Sequence, residues 1–211
     1  MHTPIFHYIY DPLCGWCYGA APLLACVHEL DNVTLTLHGG GLMSGRSVTA
    51  ELRSFVMAND ARIGKISGQR FGRDYVDGLL LDETAVFDSL PPIAAILAAQ
   101  ACGADGYAML VALQKAHFVA GRKIVDQAVL LELAIAQGIE AGVFRQSLAQ
   151  QLSGPVEQHI VASRARLAGA GGGGFPTLVL ERGGQMTPLD ISGYYGQVEP
   201  WRADLLAILS R

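Results

Sequence analysis

The 211-residue sequence has few charged side chains, and its charges are not concentrated by sign. Charged residues make up 16% of the chain, with 15 Lys and Arg against 19 Asp and Glu, which leaves a net charge of −4. Binding to nucleic acid or to an anionic membrane surface depends on clustered positive charge, so we expect neither partner. Hydrophobic residues make up 51% of the chain, which is enough to build a core without a disulfide scaffold.

Long apolar runs are also missing. The longest uncharged segments cover residues 12–28, 89–104 and 167–180, and prolines interrupt all three. None offers the roughly 20 continuous apolar residues that a membrane-spanning helix needs. The first ten residues contain no Lys or Arg, so they lack the basic start of a secretory signal. We expect a cytosolic protein, although a periplasmic chain whose leader had been removed would begin in the same way.

Cysteine is scarce, and only two of the four cysteines are close together in the sequence. Cys14 and Cys17 form a Cys-x-x-Cys pair, whereas Cys26 and Cys102 are isolated and are typical of small buried apolar residues. A structural zinc site needs four ligands, usually including a second cysteine pair, and the sequence has none. The pattern therefore favours redox chemistry, and we predict no metal site.

The local context of the cysteine pair indicates its chemistry. Residues 5–10 are rich in β-branched and aromatic residues and predict a buried strand, an Asp-Pro dipeptide ends it, and a helix is predicted from about residue 14 to 30. At the start of a helix, Cys14 would lie beside unpaired backbone N–H groups and the positive end of the helix dipole, which stabilise a thiolate. We therefore expect Cys14 to be a nucleophile with a lowered pKa, and Cys17 to resolve the mixed disulfide.

The predicted elements follow the order β-α-β, then a long helical region, then β-β-α. The two ends are each too small to bury a sheet alone, so we predict that residues 1–45 and 170–211 form one α/β domain. Residues 46–169 would then be an all-helical insertion. The glycine-rich residues 169–174 are a flexible hinge or a long loop from helix to strand. Pro22 would kink the first helix, because it has no N–H for the preceding turn.

A second candidate element stands just before the first strand of the C-terminal end. Residues 174–177 read Gly-Phe-Pro-Thr and place a proline at the start of that strand, where it cannot donate to the sheet. A cis X-Pro bond is uncommon and does not follow from the sequence alone.

These motifs together resemble the DsbA-like branch of the thioredoxin superfamily. The resemblance rests on the segment from Asp11 to Tyr18, on Pro22 and on residues 174–177, and it is closest to FrnE-like and protein-disulfide-isomerase members. It implies a thioredoxin-like α/β fold with a large all-helical insertion. The implied activity is that of a thiol–disulfide oxidoreductase or disulfide isomerase.

The resemblance also implies roles for individual residues. Pro176 would be a cis-proline facing the active site, Phe175 would offer its backbone to an extended substrate, and Trp16 would supply apolar contact surface. Cys14 and Cys17 would exchange disulfides with proteins or small thiols, with no other bound cofactor and with glutathione as a candidate co-substrate. Because neither residue between the cysteines is cationic, we expect a couple less oxidising than that of DsbA-type oxidases.

The resemblance does not define the proton-transfer residue. The position of the buried acid in many thioredoxin-fold proteins falls on Tyr8, with His7 adjacent and Asp11 nearer to the loop. We name Asp11 and His7 as candidates for taking the proton from Cys17. Asp11 could equally be a turn residue, and His7 a structural histidine. His117 could line a cleft above the cysteine pair, although a core or surface role is more common.

Two other functions stay open at this point. Kappa-class glutathione transferases and 2-hydroxychromene-2-carboxylate isomerases are similar in architecture, but they generally have serine at the position of Cys14 and lack the second cysteine. A non-catalytic redox-sensing module would instead use the Cys14–Cys17 switch to alter partner binding. The sequence does not specify the substrate, the direction of electron flow or the oligomeric state.

Overall fold

The computed structural model of the chain describes residues 3–210. The strands are β1 (Ile5–Tyr10), β2 (Thr34–Gly39), β3 (Arg46–Ser47), β4 (Val86–Phe87), β5 (Thr177–Arg182) and β6 (Gln185–Leu189). The α-helices are α1 (Gly15–Gly19), α2 (Ala21–His28), α3 (Ala50–Ser67), α4 (Leu90–Ala101), α5 (Gly106–Phe118), α6 (Gln127–Ala136), α7 (Ala141–Leu152), α8 (Pro155–Gly169) and α9 (Val198–Leu209).

Strand β1 is an inner strand of a four-stranded sheet with the order β2-β1-β5-β6. β2 runs parallel to β1, whereas β5 is antiparallel to β1 and β6 is antiparallel to β5. Successive side chains of a strand point to opposite faces, so Phe6, Tyr8 and Tyr10 share one face and His7 and Ile9 share the other. All five side chains are buried, which means that both faces of β1 are covered. The β-α-β and β-β-α ends therefore join in one thioredoxin-like sheet.

β5 and β6 form a hairpin, and β6 is one edge of this sheet. Its turn uses Gly183 and Gly184, whose φ angles are +57° and +81°. Two successive residues with positive φ match the right-handed twist of a two-residue hairpin, and glycine adopts them without steric cost. Pro188 lies in the edge strand β6, which is where a sheet tolerates a missing N–H.

The first predicted helix is divided in two. α1 ends at Gly19, Ala20 separates the helices, and α2 begins at Ala21 with Pro22 in its first turn. Pro22 has no N–H to continue the hydrogen bonding of α1, and this is the physical reason for the division. The expected kink is confirmed, whereas the single helix over residues 14–30 is replaced by two shorter ones.

The region between β2 and β5 is mainly helical, as expected. α3 starts at the N-cap residue Thr49, whose hydroxyl accepts the N–H of Leu52 at 3.2 Å. The region also contains a small addition to the expected helices, because β3 and β4 pair over two residues each. A ladder of that length is too short to produce an alternating pattern in the sequence.

Helix α9 closes the fold by packing against α2. Pro200 lies in its first turn, and Trp201 is fully buried, with its indole N–H donating to the carbonyl of Leu23 at 2.9 Å. None of the helices within residues 3–210 has the length and apolar character needed to cross a membrane.

Candidate active site

The segment between β1 and α1 is a tight turn from Asp11 to Cys14. The N–H of Cys14 donates to the carbonyl of Asp11 at 3.2 Å, and the N–H of Leu13 donates to Asp11 Oδ1 at 2.9 Å. Asp followed by Pro is a typical start for such a turn, because the carboxylate accepts a nearby N–H and proline presets φ. The turn places Cys14 at the N-cap of α1, with φ −84° and ψ 115°.

The two cysteines of the motif are free thiols with unequal access to solvent. Cys14 is 7% exposed, whereas Cys17 is completely buried. The Cys17 thiol contacts Cys14 through a side-chain hydrogen bond, and the N–H of Asp11 lies 3.5 Å from Cys17 Sγ. Burial, followed by the contact with Cys14, raises the pKa of the Cys17 thiol well above its usual range. Cys14 is therefore the sulfur within reach of a substrate.

Phe175, which precedes Pro176, lies directly against Cys14. The Phe175–Pro176 peptide bond is cis, and the Cys14 thiol donates to the carbonyl of Phe175 at 3.6 Å. The Phe175 ring packs over Gly40, where an added Cβ would stand 2.1 Å from the ring. The position of this phenylalanine therefore requires glycine at residue 40.

Asp11 is both a turn residue and a buried acid. Its side chain is completely buried, with Oδ2 accepting the N–H of Leu42 at 2.6 Å and Oδ1 accepting the hydroxyl of Ser89 at 2.9 Å. Burial raises the pKa of the Asp11 carboxyl to about 6, although these donors and the charge of Arg164 act in the opposite direction. The two interpretations from the sequence are therefore compatible.

Trp16 is held in place between the two cysteines by side chains from distant parts of the chain. The Tyr195 hydroxyl donates to the Trp16 carbonyl at 3.1 Å, and the two rings meet edge to face with centroids 5.1 Å apart. The Arg62 guanidinium lies 5.7 Å from the centroid of the Trp16 ring. This distance is within the range of a cation–π contact.

A cavity of about 160 Å³ opens beside Cys14, between the active-site turn and α3. Its walls are mainly apolar, and one buried carboxyl interrupts them. Asp60 is 5% exposed and accepts the hydroxyl of Tyr75 at 2.8 Å. Burial raises the pKa of Asp60 to about 6 against the opposing effect of that hydrogen bond. Asp60 and Cys14 therefore line the same cleft.

Helix α8 holds the loop beneath Phe175. His159 Nε2 accepts the N–H of Gly39 at 3.0 Å. The Arg164 guanidinium donates to the carbonyl of Gly40 at 2.7 Å and also to the carbonyl of Gly41. The helical insertion therefore fixes the backbone that supports one wall of the active site.

His7 does not reach the cysteines. Its Nε2 lies 2.8 Å from Glu181 Oε2, and its Nδ1 lies 3.0 Å from His38 Nε2. Tyr8, on the opposite face of β1, is the residue that contacts the cysteine helix, with its hydroxyl 3.5 Å from the Cys17 carbonyl. The alternation of side chains along a strand puts His7 on the other side of the sheet. Of the two candidates for proton transfer, only Asp11 is close to the cysteine pair.

His117 is a core residue of the helical region. It is 2% exposed and packs against the rings of Tyr75, Phe87 and Phe118. Burial lowers its pKa to about 3, so the imidazole is neutral at pH 7. It therefore lies behind the cleft, among the side chains that support the cleft wall. The described residues hold no group of three or more His, Cys, Asp or Glu side chains suited to a metal ion.

Comparison with solved structures identifies the family. The chain is 47% identical to the cytosolic disulfide reductase DsbM from Pseudomonas aeruginosa, with a TM-score of 0.93 over 98% of both chains. The chain belongs to the DsbA-like branch of the thioredoxin superfamily. It is accordingly a thiol–disulfide oxidoreductase. No protein-family model matches the sequence, and a search of curated proteins gives no match either.

Two further structures extend the comparison. DsbM from Pseudomonas aeruginosa solved with GSH is 46% identical, covering 98% of this chain and 100% of that one, with a TM-score of 0.92. A candidate protein disulfide isomerase from Nitrosomonas europaea is 24% identical, covering 99% of this chain and 98% of that one, with a TM-score of 0.81. The second likeness shows the DsbA-like fold alone.

Several residues of the site in this DsbA-like chain were not identified from the sequence. They are Gly40, Asp60, Ser89, His159 and Arg164. His159 is half-buried on α8 and lies against the end of β2. Each of them lies outside the two motifs, and the only local signal was the run of glycines that includes Gly40.

Proposed function

We propose that this oxidoreductase reduces disulfides by exchange at Cys14, with Cys17 as the resolving thiol. The observation that carries the proposal is the position of Cys14 at the N-cap of α1, where its thiol meets the Phe175 carbonyl and Cys17 is buried behind it. An accessible sulfur with a second thiol in contact is the arrangement that exchange through a mixed disulfide needs.

The first step is attack of the Cys14 thiolate on a substrate disulfide. A bond forms between Cys14 Sγ and one substrate sulfur, and the substrate S–S bond breaks, releasing the other sulfur as a thiolate that takes a proton from solvent. Cys17 then attacks Cys14 Sγ, which releases the second substrate sulfur as a thiol. The substrate gains two electrons and two protons, and the protein is left with a Cys14–Cys17 disulfide.

Asp11 is our candidate for receiving the proton of Cys17 in the second step. The thiol must lose its proton to become a nucleophile, and its burial opposes this loss. A carboxylate whose pKa is raised to about 6 is ionised at neutral pH and is a better base than an ordinary aspartate. The backbone N–H of Asp11 lies 3.5 Å from Cys17 Sγ, and the charge of the Asp11 carboxylate is among the causes that raise the pKa of Cys17. His7 is not proposed, because its contacts are with His38 and Glu181.

Phe175, Pro176 and Trp16 form our proposed substrate-binding surface. In the free thiol form, the Phe175 carbonyl accepts a hydrogen bond from the Cys14 thiol. When Cys14 forms a mixed disulfide with a substrate, this hydrogen bond is lost and the carbonyl becomes available. An extended substrate could then pair with the Phe175 backbone as a short added strand. The half-buried Trp16 ring, held by Tyr195, would contact apolar substrate side chains.

Glutathione is our proposed electron donor. DsbM from Pseudomonas aeruginosa has been solved with GSH, and it is similar to this chain over nearly its whole length. Attack of one glutathione thiolate on the Cys14–Cys17 disulfide would give a mixed disulfide, and a second glutathione would release oxidised glutathione and the free dithiol. DsbM is named as a cytosolic protein. If this chain is also located in the cytosol, reduced glutathione would be present there as the donor.

We also propose that residues 1–45 and 170–211 act as the redox domain and that residues 46–169 act as an insertion domain. Under this division, the redox domain contributes the reactive cysteine and the insertion contributes α3 and the apolar wall of the cleft. Disulfide-containing proteins would therefore be recognised by surfaces from both parts.

The proposal is tested by insulin reduction with glutathione as the electron source. We expect the wild-type protein to accelerate the reaction and Cys14→Ser to reduce the rate to that of glutathione alone. Cys102→Ser is the matched control, because Cys102 is half-buried at the end of α4 and should keep full activity. Unchanged turnover in Cys14→Ser would discard the mechanism.

The two other functions make different predictions in the same assays. A glutathione-dependent isomerase would keep its activity without Cys17, and a redox sensor would show a redox-dependent partner and no turnover. Likeness to 2-hydroxychromene-2-carboxylate isomerase is limited to the fold, at 13% identity and a TM-score of 0.60. Neither function is favoured by a specific contact in the site.

A further inference from the structure

Asp60 introduces a charge into the apolar wall of the active-site cleft. The residue comes from α3, far from the Cys-x-x-Cys motif in sequence, and it is 5% exposed. One carboxyl oxygen, Oδ2, accepts the Tyr75 hydroxyl at 2.8 Å. The other oxygen, Oδ1, points at the first turn of α1. Burying a carboxylate with a single donor is costly, so this position calls for an explanation.

Gly15 has no side chain, and this leaves the space that the Asp60 carboxylate occupies. A Cβ added at Gly15 would lie 2.5 Å from Asp60 Oδ1 and 3.0 Å from Ile63 Cδ1. Any side chain between the cysteines at this position would therefore displace the carboxylate. Gly15 follows Cys14 directly, and both line the same cavity as Asp60. The glycine of the active-site motif and the carboxylate of α3 form one structural unit.

Asp60 and Cys14 line the same cavity, so a charge on Asp60 would act on the reactive sulfur through space. A carboxylate and a thiolate repel each other, and the repulsion is stronger in a partly buried, apolar cleft than in water. Among the described residues that line this cavity, Tyr75 and Cys14 are the other titratable groups. On α3 itself, the Arg62 cation lies over the Trp16 ring. Because burial raises the pKa of Asp60 to about 6, the carboxyl is mainly ionised at neutral pH.

We propose that Asp60 tunes the Cys14–Cys17 pair toward stronger reducing power by holding a carboxylate against the first turn of α1. The inference rests on the proposed function, since it concerns the same redox pair. The charge disfavours the Cys14 thiolate, which exists only in the reduced protein, and leaves the neutral disulfide nearly unaffected. A less stable reduced form means a more negative reduction potential.

The relevant equilibrium is that between the protein and glutathione. Oxidised protein and two molecules of reduced glutathione give the Cys14–Cys17 dithiol and one molecule of oxidised glutathione, with two electrons and two protons transferred. We expect Asp60→Asn to shift this equilibrium about tenfold toward the reduced protein, which for a two-electron couple is about 30 mV. Asparagine keeps an oxygen for the Tyr75 hydroxyl and removes only the charge.

The experiment measures this equilibrium constant in glutathione buffers at pH 8 and at pH 5, together with the pH profile of Cys14 alkylation by iodoacetamide. At pH 8 we expect the tenfold shift and a Cys14 alkylation midpoint that moves to lower pH. At pH 5 the difference should shrink, because Asp60 of the wild type is then largely protonated. Glu51→Gln, an equal charge change on the exposed start of α3, is the matched control and should leave both readouts unchanged.

A second variant keeps the test decisive if Asp60→Asn does not fold. Tyr75→Phe removes the hydroxyl that favours the ionised carboxyl, so at pH 7 it should shift the equilibrium in the same direction by a smaller factor. Equal constants for the wild type and the folded variant, or a shift toward the oxidised protein, would overturn the inference. If the wild type itself forms no Cys14–Cys17 disulfide in these buffers, it is the proposed function that fails.

Discussion

The side chains on both faces of strand β1 are buried, and the two sides of the strand carry opposite kinds of titratable group. The cysteine side, which contains Tyr8, Asp11 and Cys17, holds a carboxyl whose pKa is raised to about 6. The histidine side, which contains His7 and His38, holds an imidazole whose pKa is lowered to about 3. Burial is the main cause in both cases, because it disfavours whichever form is charged. The same physical effect thus moves an acid and a base in opposite directions.

This difference gives the two sides opposite responses to acid. The folded-state pKa of Asp11 is raised above its ordinary 3.8, so its contribution to stability is complete below pH 3.8 and is lost as the pH rises through about 6. The folded-state pKa of His38 is lowered from 6.5, so its contribution is present above pH 6.5 and is lost as the pH falls toward about 3. Acidification should therefore increase the contribution of Asp11 to the free energy of unfolding and decrease that of His38.

The two sides of β1 also differ in what they contact. Of the two sides, only the cysteine side contacts the Cys-x-x-Cys motif, with the Asp11 N–H 3.5 Å from Cys17 Sγ and the Tyr8 hydroxyl 3.5 Å from the Cys17 carbonyl. The histidine side instead joins β1, β2 and β5 through His7, His38 and Glu181. Substitutions on the first side should therefore change turnover, and those on the second side should change stability.

Removing the resolving thiol should have the largest effect. With Cys17→Ser, we expect the first exchange to proceed and multiple turnover to stop, because nothing displaces the captured sulfur from Cys14. Intact-mass measurement should find a stable adduct of one glutathione or one substrate chain on the protein. Cys26→Ala, a substitution of the isolated cysteine on α2, should form no such stable adduct. Normal turnover in Cys17→Ser would instead support a glutathione-dependent isomerase.

Neutralising the buried acid should slow the second step. We expect Asp11→Asn to lower the rate of mixed-disulfide resolution about 100-fold, the range typical of general base catalysis. Single-turnover quenching should therefore detect accumulated mixed disulfide, with the first exchange at its normal rate. The variant should also lose part of the stability that the wild type gains between about pH 6 and pH 4. Asp31→Asn, on the surface, is the control, and equal resolution rates in both variants would exclude Asp11 as the base.

Filling the space under Phe175 should have an intermediate effect. A methyl group in Gly40→Ala would stand 2.1 Å from the Phe175 ring, so the ring must move, and we expect this shift to disturb the Phe175 carbonyl beside Cys14. We expect kcat/KM for insulin reduction to fall about tenfold, equivalent to about 1.4 kcal/mol of transition-state stabilisation. Gly169→Ala has no neighbouring atom within 4 Å and should be neutral. An unchanged kcat/KM in Gly40→Ala would show that the position of Phe175 does not matter for exchange.

The histidine side should give the smallest effect on activity. We expect His38→Gln to keep the wild-type rate, since His38 contacts His7 and not the cysteines. At pH 4 its Tm should be a few degrees above that of the wild type, because the variant has no half-buried imidazole to protonate. A difference of about 1 kcal/mol corresponds to about 2–4 °C in a chain of this size. His28→Gln, at an exposed histidine, should show no such gain. A loss of activity in His38→Gln would contradict the conclusion that the histidine side affects stability and not turnover.

Much of the fold was predictable because its signals are local. The strand before Cys14, the helix break near Pro22 and the start of the last helix near Pro200 each depend on neighbouring residues. The β3–β4 pair was not predictable, because two residues per strand leave no periodic pattern.

The candidate site was predictable where residues belong to a motif. The structure brings Cys14, Cys17 and Phe175 together, and Pro176 follows Phe175 through a cis bond. Their roles in catalysis and substrate binding stay predictions. His7, the other candidate for proton transfer, lies away from the cysteines, because residues adjacent in a strand, such as His7 and Tyr8, point to opposite faces.

The sequence by itself determined the reactive chemistry, because two cysteines one helical turn apart, behind a strand and a proline turn, are arranged by short-range geometry. Only the tertiary structure decided which other groups act on those sulfurs. Asp60 on α3 reaches the first turn of α1, and Arg164 on α8 reaches the loop at Gly40. Such contacts depend on how whole helices pack against the sheet. The sequence around a carboxylate or guanidinium in an amphipathic helix does not indicate which residue that group will contact.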